Sequence, residues 1–358
     1  MKTAIKVLYL LHDSRRSGVP AVASAFIKRA TMVGVKPTVL FAYNGIYASE
    51  LKNAGIPTLT LGSRTPFLWR FKRFLMNVFL LLKGKEFDVV HIHSVKLACS
   101  VLVARLLGLK AVFHLHELPR RVSYLLRLAM ASADCVVFCS ETCAAHFDGI
   151  PVRKKKTIVN AMAFGRQSPT VHSDNDVLPV VMVASLNRNK GQHLLLKAFS
   201  RLRDPRAQLW LYGTTGLSAH GYTRYLKRYA AKHGIADRVF MPGPTSDVFS
   251  VFSNAAVVVH PSSTESFGMA LVEAQSCGVP VIAHDLEGMR EVVKNDVTGY
   301  LVSPGDVEQM ARRLEELLSD AGLRNRMGAQ GYRMVRECFD IESRIPEYRK
   351  LYEDMVSP

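Results

Sequence analysis

The sequence predicts an α/β protein divided into two domains, each built around a parallel sheet. The chain has 358 residues, which is long for a single hydrophobic core. In both halves, short apolar segments rich in β-branched residues alternate with helical segments, as a parallel sheet requires. Between the halves, residues 161–178 are polar and irregular, which is typical of an interdomain linker.

Each predicted element follows from a local pattern. Apolar runs predict strands in the first half at residues 6–11, 37–41, 58–61, 89–93, 111–115 and 135–139. The same pattern predicts strands in the second half at residues 180–184, 208–212, 238–241, 257–260 and 281–283. Helices are predicted at residues 191–202, 223–233 and over most of 307–353. We therefore expect domains at residues 1–165 and 166–340, followed by a C-terminal segment at 341–358.

The charge of the chain is unevenly distributed. Its formal net charge is +17. Residues 1–165 contain 24 Lys and Arg against 8 Asp and Glu, or +16, whereas residues 166–358 contain 23 against 22, or +1. This asymmetry predicts that the first domain meets a polyanion, such as an anionic membrane, a nucleic acid or a charged saccharide.

The composition is that of a soluble globular protein, with 48% hydrophobic and 22% charged residues. No apolar run reaches the ~20 residues of a membrane-spanning helix, and residues 1–6 lead directly into a strand, so we expect no signal peptide. Cys135, Cys139 and Cys143 are expected to be small buried residues, because no CxxC pair indicates a metal or disulfide framework. A cytoplasmic location follows.

The most informative segment is residues 257–283. An apolar run ends in a small polar loop that contains Glu265, a short helical stretch follows with Glu273, and a second apolar run closes the unit. Parallel α/β sheets bind ligands at such loops. Free backbone amides at the helix start, residues 268–270, can bind an anion such as a diphosphate, and the two carboxylates suit sugar hydroxyls.

Glu265 and Glu273, with Ser266-Phe267-Gly268 between them, form a Glu-x7-Glu pattern that resembles the signature of glycosyltransferase family 4. The resemblance implies the GT-B fold, in which two Rossmann-like domains face each other across a cleft and a C-terminal helix crosses back to the first domain. It also implies a retaining transfer from a nucleotide-diphosphate sugar to a hydroxyl. No metal or other cofactor is expected, since the nucleotide-sugar is a substrate.

The resemblance assigns roles to further residues. The expected catalytic residues are His116, which matches the family's active-site histidine, Lys190, which matches the lysine that neutralises the donor diphosphate, and Glu265, beside the donor sugar. Ser185 stands where the family often has arginine, so either Arg188 supplies that charge or the site has one cation fewer. The expected donor-binding residues are Gly18, Arg188, Lys190, Gly213, Pro242, Gly243, Glu265, Phe267, Gly268, Met269, Ala270 and Glu273.

Two patterns could be taken for metal sites. Two His-x-His pairs, at residues 91–93 and 114–116, place alternate strand residues on one face, as in metal hydrolases. No downstream set of carboxylate ligands accompanies them. The DxD string at residues 174–176 is the metal–diphosphate signal of another glycosyltransferase fold, but it lies in the predicted linker rather than after a strand. We therefore expect no metal.

Residues 64–85 combine six cations with Phe, Leu and Trp, which is typical of a helix in a membrane interface, with Phe67, Trp69 and Phe71 as the inserting side chains. The predicted protein is therefore a peripheral enzyme on the inner face of the cell membrane that glycosylates a lipid-linked saccharide or a surface polysaccharide. A sugar-nucleotide epimerase or hydrolase of the same fold is one alternative. A basic nucleic-acid-binding protein on this scaffold is the other, although the chain shows no nucleic-acid-binding motif and no such partner is expected.

Overall fold

The computed structural model describes residues 4–62, 68–165, 169–173, 176–214 and 220–357. The chain forms two compact units. The first unit comprises Met1–Ala163 together with Asp340–Pro358, and the second comprises Phe164–Phe339. Each unit contains one sheet in which every pair of neighbouring strands is parallel.

The first unit has a seven-stranded sheet of order β3-β2-β1-β4-β5-β6-β7. Its strands are β1 (Ile5–Leu11), β2 (Val35–Phe41), β3 (Thr58–Thr60), β4 (Val89–His93), β5 (Lys110–Leu115), β6 (Cys135–Phe138) and β7 (Lys155–Thr157). Its helices are α1 (Gly18–Ile27), α2 (Ile46–Asn53), α3 (Trp69–Lys83), α4 (Ala98–Leu106), α5 (Tyr124–Ser132), α6 (Glu141–His146) and the C-terminal α14 (Ile341–Val356).

The second unit has a six-stranded sheet of order β10-β9-β8-β11-β12-β13. Its strands are β8 (Leu178–Val183), β9 (Ala207–Tyr212), β10 (Val239–Gly243), β11 (Val257–His260), β12 (Val281–His284) and β13 (Gly299–Val302). Its helices are α7 (Gln192–Phe199), α8 (His220–Lys232), α9 (Val248–Ser253), α10 (Met269–Ser276), α11 (Glu287–Val292), α12 (Val307–Ser319) and α13 (Ala321–Cys338).

Helix α14 belongs to the first unit although it ends the chain. Asp340 caps the helix by accepting a hydrogen bond from the Glu342 N–H. One face of α14 then packs on the sheet core, where the ring of Tyr348 stacks on that of Phe26 with centroids 4.0 Å apart and Tyr352 is fully buried. The predicted return of the C-terminal helix to the first domain is thereby confirmed, as are the two parallel α/β sheets.

Each sheet has one point where the strand order reverses direction. In the first unit this point lies between β1 and β4, and in the second unit it lies between β8 and β11. Loops that leave adjacent strands in opposite directions open a crevice at the carboxyl edge, which is where such sheets bind ligands. The loops after β8 and β11 contain Lys190 and Glu265, and the loops after β1 and β4 begin at His12 and Ser94.

The prediction from sequence omitted two strands, β7 and β13. The first reads Lys-Lys-Thr and lies at the edge of its sheet, so it lacks the apolar run on which strand prediction depends. The second is only four residues long and is also an edge strand. Helix α7 ends at Phe199, three residues before the predicted end, and α8 begins three residues before its predicted start.

Candidate active site

Main-chain and hydroxyl contacts tie together the loops after β8 and β11. The Ser263 N–H and the Ser262 Oγ both donate to the Asn189 carbonyl oxygen, at 2.7 and 3.2 Å. Gly191 follows with a φ of 81°, and a Cβ at this position would lie 2.0 Å from the Pro261 carbonyl oxygen. Only glycine permits this approach, so the two loops are fixed against each other.

The contact between these loops brings Lys190 and Glu265 together. Lys190 Nζ donates to Glu265 Oε2 at 2.7 Å, and His260 Nε2 lies 3.2 Å from the same oxygen. Burial alone would raise the pKa of Glu265, but the hydrogen bond to His260 and the charge of Lys190 outweigh it and lower the pKa to about 2. Glu265 is therefore ionised at neutral pH and is paired with the lysine predicted to bind a diphosphate.

Helix α10 begins four residues after Glu265. Gly268 precedes the helix with a φ of 96°, a left-handed conformation that glycine adopts readily. The N–H groups of Leu271 and Val272 donate to the Gly268 carbonyl oxygen, whereas those of Met269 and Ala270 have no acceptor within the helix. These two amides and the positive end of the helix dipole can bind an anion next to Lys190.

The loop between Glu265 and α10 is supported from within the unit. The Phe267 ring is only 1% exposed and packs edge to face on Phe339, with centroids 5.2 Å apart, so only its main chain is left for a ligand. A Cβ on Gly288 would lie 2.5 Å from the Glu265 carbonyl oxygen, so glycine is needed at that contact. Glu273, in the second turn of α10, is half-buried.

Arg188 lies in the same loop as Lys190 but contacts different groups. Its guanidinium carbon is 5.8 Å from the ring centroid of Tyr222 and 5.5 Å from that of Tyr225, both on α8. Ser185 is exposed, and its Oγ accepts a hydrogen bond from the Asn187 side chain at 2.9 Å. Arg188 is thus held against an aromatic surface, and its role in replacing the missing arginine stays a prediction.

Gly213, Pro242 and Gly243 lie together at the ends of β9 and β10. The Gly213 N–H donates to the Gly243 carbonyl oxygen at 2.9 Å. A Cβ on Gly213 would lie 1.8 Å from the Ala184 carbonyl oxygen, so this glycine allows the ends of β8 and β9 to close on each other. Pro242 is exposed beside this contact. The three residues form one rim of the same carboxyl edge that carries Lys190.

Two predicted residues, Gly18 and His116, belong to the first unit. Gly18 begins α1, and the preceding Ser17 is extended. His116 follows β5 and is only 5% exposed, with its Nε2 3.1 Å from Nδ1 of His93. The Cys139 thiol is a further hydrogen-bond partner of His116. The imidazole of His116 is therefore buried against His93 of the neighbouring strand, and the sequence did not indicate this burial.

Ser94, at the switch point of the first unit, has a strained main chain. Its φ is 86°, which is uncommon for a residue other than glycine. The Glu117 carboxylate holds this conformation by accepting hydrogen bonds from the Ser94 hydroxyl and from the Val95 N–H. Strained residues such as Ser94 concentrate at binding sites, and the sequence pattern gave no sign of the strain at Ser94. In the loop after β1, Asp13 accepts a hydrogen bond from the Arg15 guanidinium at 3.0 Å.

The side chains of His91, His93 and His114 are the described residues that could hold a metal ion, since one nitrogen of each lies within 4.8 Å of the others. A zinc ion at ~2.0–2.1 Å from each ligand would need nitrogens about 3.3 Å apart. The rings of His91 and His93 are inclined by only 13° and lie face to face, so their lone pairs run side by side rather than converge. The DxD string at residues 174–176 lies partly outside the described residues.

Sequence reasoning missed the role of His260. This histidine ends β11, five residues before Glu265, and is 4% exposed. A polar residue at the carboxyl end of a buried strand is the signal that could have identified it. Its hydrogen bond makes the Glu265 carboxylate the acceptor of two basic side chains.

Two family models match the chain, and together they cover most of its length. The model for glycosyltransferase family 4 matches residues 16–160, and the model for glycosyl transferases group 1 matches residues 166–334. A crystal structure of Anabaena HepE in complex with UDP and glucose has the same fold, with a TM-score of 0.85 over 98% of this chain and all of that chain, at 21% identity. The fold and these matches define a glycosyltransferase of the GT-B class.

Within that class, the chain belongs to glycosyltransferase family 4 and is an enzyme. It is similar to the D-inositol 3-phosphate glycosyltransferase of Thermobifida fusca, at 25% identity over 90% of this chain and 82% of that protein. It is also similar to the lipopolysaccharide core biosynthesis glycosyltransferase LpsE of Rhizobium meliloti, at 28% identity over 70% of this chain and 72% of that protein.

Proposed function

We propose that this enzyme transfers a sugar from a nucleotide-diphosphate donor to a hydroxyl of a lipid-linked saccharide or surface polysaccharide, with retention of anomeric configuration and without a metal ion. The observation that carries the proposal is the Lys190–Glu265 pair beside the N-terminus of α10. A lysine ammonium and two amides that have no acceptor within the helix suit the diphosphate leaving group, whose charge must be stabilised in the transition state. Glu265 then accepts hydrogen bonds from the donor sugar.

The donor residues keep the roles assigned from the sequence. Lys190 and the amides of Met269 and Ala270 bind the diphosphate, Glu273 binds the ribose, and the rim at residues 213 and 242–243 binds the base. His116 is the proposed catalytic residue of the first unit. UDP is the first nucleotide to test, because HepE, which shares the fold, was crystallised with UDP and glucose.

A thermal-shift screen against UDP-, GDP- and ADP-sugars tests donor binding, since a ligand that binds the native state raises its melting temperature. Lys190→Ala should abolish the shift and lower kcat by about a hundredfold or more, because it removes a cation from the leaving group. Lys232→Ala, on the exposed end of α8, is the matched control and should change neither. Equal shifts for both variants would refute this donor site.

Product analysis separates the transferase from its alternatives. With donor and acceptor present, we expect a new glycoside whose anomeric configuration, read by NMR, matches that of the donor. Chelators should leave the rate unchanged. Complete conversion of the donor without an acceptor would instead indicate the epimerase or hydrolase.

We further propose that the enzyme binds the inner face of the cell membrane through α3 and the helices beside it. Phe71 and Phe74 are 53% and 59% exposed, their rings stack 6.4 Å apart, and Leu81 and Leu82 continue the same stripe at 59% and 76% exposure. Of the side chains predicted to insert into the membrane, Trp69 is half-buried and stacks on Tyr43. Phe74 therefore takes the place of Trp69 in the proposed inserting set. Phe67 lies outside the described residues.

Charge complementarity makes an anionic bilayer the proposed occupant of this surface. Helix α4 lies between α3 and α5, and exposed cations lie on or next to these three helices: Arg70, Lys85, Arg105, Arg120, Arg121 and Arg127. Contact of four of these six cations with the membrane contributes about 4 kcal/mol, and the exposed halves of two Phe rings contribute about 2–3 kcal/mol, which corresponds to roughly 10–40 µM binding. None of the helices described by the structure is long and apolar enough to cross a membrane.

A further inference from the structure

His284 ends strand β12 at the carboxyl edge of the second sheet, where β12 lies between β11 and β13. Its side chain is buried. The ring nitrogen Nδ1 lies 3.0 Å from the Ser262 carbonyl oxygen in the loop after β11. The other ring nitrogen, Nε2, lies 3.3 Å from the main-chain nitrogen of Gly305 in the loop after β13. One imidazole therefore joins the carboxyl ends of three neighbouring strands.

These two main-chain contacts fix the position of the proton on the imidazole of His284. The Ser262 carbonyl oxygen can only accept a hydrogen bond, so Nδ1 must carry a proton. The Gly305 N–H can only donate, so Nε2 must be bare. A single neutral tautomer meets both conditions, and each ring nitrogen then has a partner of the right kind. The pKa of His284 is lowered, chiefly because the ring is buried, which agrees with the neutral form.

The Ser262 carbonyl belongs to a peptide group that is held at both ends. The N–H of the same peptide group, on Ser263, donates to the Asn189 carbonyl oxygen at 2.7 Å. In a trans peptide such as this one, the C=O and the N–H point in opposite directions. His284 and Asn189 therefore hold the peptide from opposite sides, and the two hydrogen bonds together set its tilt.

This peptide lies between the two charged residues of the candidate donor site. Asn189 directly precedes Lys190, and Ser263 precedes Glu265 by two residues. If the hydrogen bond from His284 were lost, the buried Ser262 carbonyl oxygen would lose its donor, and the peptide would tilt to find another. The tilt would move Lys190 relative to Glu265, whose side chains now meet at 2.7 Å. A misplacement of about 1 Å in a reacting site can lower the rate by about a hundredfold.

We propose that His284 is a positioning residue whose Nδ1–H orients the Ser262–Ser263 peptide and thereby sets Lys190 against Glu265. The Gly305 N–H selects the tautomer, because it occupies the lone pair of Nε2 and leaves the proton on Nδ1. This inference rests on the proposed function for the roles of Lys190 and Glu265, but the position of the proton does not depend on it.

Nitrogen-15 NMR of the labelled wild type tests the position of the proton, since the shifts distinguish a protonated from a bare ring nitrogen. We expect His284 to be protonated on Nδ1 with Nε2 bare, and its signal is assigned by its loss from the spectrum of His284→Asn. A ring protonated on Nε2, alone or together with Nδ1, would overturn the inference. Because this measurement needs no substrate, it decides the tautomer even if the enzyme transfers no sugar.

Two variants of His284 separate its two hydrogen bonds. The amide N–H of Asn lies near the position of Nδ1 and can still donate to Ser262, whereas the longer Gln places its amide near Nε2 and keeps only the contact with Gly305. His284→Gln should therefore shift the main-chain amide signals of Lys190 and Glu265, and His284→Asn should shift them less. Equal shifts in the two variants would show that donation to Ser262 does not position these residues.

Kinetics of the same two variants test the consequence for turnover. His284→Gln should lower kcat by about tenfold or more with little change in the KM for the donor, and His284→Asn should recover most of that loss. Melting temperatures of both variants control for a general loss of stability. A fall of equal size in the two variants at equal melting temperature, or an unchanged kcat in His284→Gln, would overturn the inference. If the wild type itself transfers no sugar, the proposed function fails, while the NMR measurements still decide the position of the proton and its effect on Lys190 and Glu265.

Discussion

The Lys190–Glu265 pair predicts that one substitution will tighten nucleotide binding while it slows turnover. In the free enzyme, Glu265 accepts a hydrogen bond from the lysine that the diphosphate needs. Glu265→Gln removes the charge that holds Lys190 and also removes the repulsion between the carboxylate and the diphosphate. Binding of the nucleoside diphosphate should therefore strengthen, although the donor sugar loses its charged partner.

The magnitude follows from the exposure of the pair. Two charges 4 Å apart interact by about 4 kcal/mol at an effective dielectric constant of 20. The side chains of Lys190 and Glu265 are 27% and 19% exposed, so solvent screening and the new hydrogen bond to Gln reduce the net gain to about 1–2 kcal/mol. This gain corresponds to roughly 5–30-fold in the Kd of the nucleoside diphosphate. The loss of kcat should be about a hundredfold.

Titration calorimetry with UDP, GDP and ADP, followed by steady-state kinetics, separates the two effects. Because the pKa of Glu265 is about 2, the carboxylate stays ionised above about pH 3, and the gain in affinity should be the same at about pH 7.5 and pH 8.5, where the terminal phosphate of the nucleotide is also ionised. Glu287→Gln removes an exposed negative charge from the same unit and should leave both constants unchanged. Weaker binding in Glu265→Gln would refute the reasoning, because it would make Glu265 a nucleotide ligand.

Three further predictions test other parts of the molecule. Gly191→Ala should abolish donor binding in the thermal-shift screen, since its Cβ would collide with the Pro261 carbonyl oxygen, and a normal shift would contradict the loop geometry. Phe71→Glu with Phe74→Glu should abolish salt-sensitive binding to anionic vesicles without lowering kcat on a soluble acceptor; sedimentation equal to that of the wild type would remove α3 from the membrane surface. His91 is neutral in the folded protein, but in the unfolded chain it takes a proton below about pH 6.5. Because of His91, the free energy of unfolding should therefore fall by about 2 kcal/mol from pH 7.5 to pH 5. In denaturation by urea, His91→Asn should show a shallower acid loss, and an unchanged loss would place the titrating group elsewhere.

Most of the fold could be predicted because the local patterns are strong. In a parallel sheet the central strands are buried on both faces, so they read as continuous apolar runs, and β11 and β12 are buried along their whole length. The edge strands β7 and β13 were missed, since their place in the sheet depends on pairing with a distant segment. For the same reason, the sequence showed that α3 is amphipathic but did not show that Trp69 faces the core and Phe74 faces outward.

The candidate site was predictable by residue type but not by contact. The sequence singled out Lys190 and Glu265, yet their ion pair depends on hydrogen bonds between Asn189 and Ser263, which are 74 positions apart. No local pattern records a contact over that distance. The hydrogen bond between His260 and Glu265 depends in the same way on the path of the loop after β11.

The contacts of Glu265 also explain how a diphosphate site can hold a carboxylate at only a modest cost in affinity for its anion. In the free enzyme, Lys190 and Glu265 neutralise each other, and His260 supplies a further donor to the same oxygen. When an anion binds Lys190, the hydrogen bond from His260 remains to hold the carboxylate in place. The ion pair therefore holds the Lys190 side chain in position before the donor binds. Because the lysine is already ordered by Glu265, the side chains of the site rearrange little when the diphosphate binds.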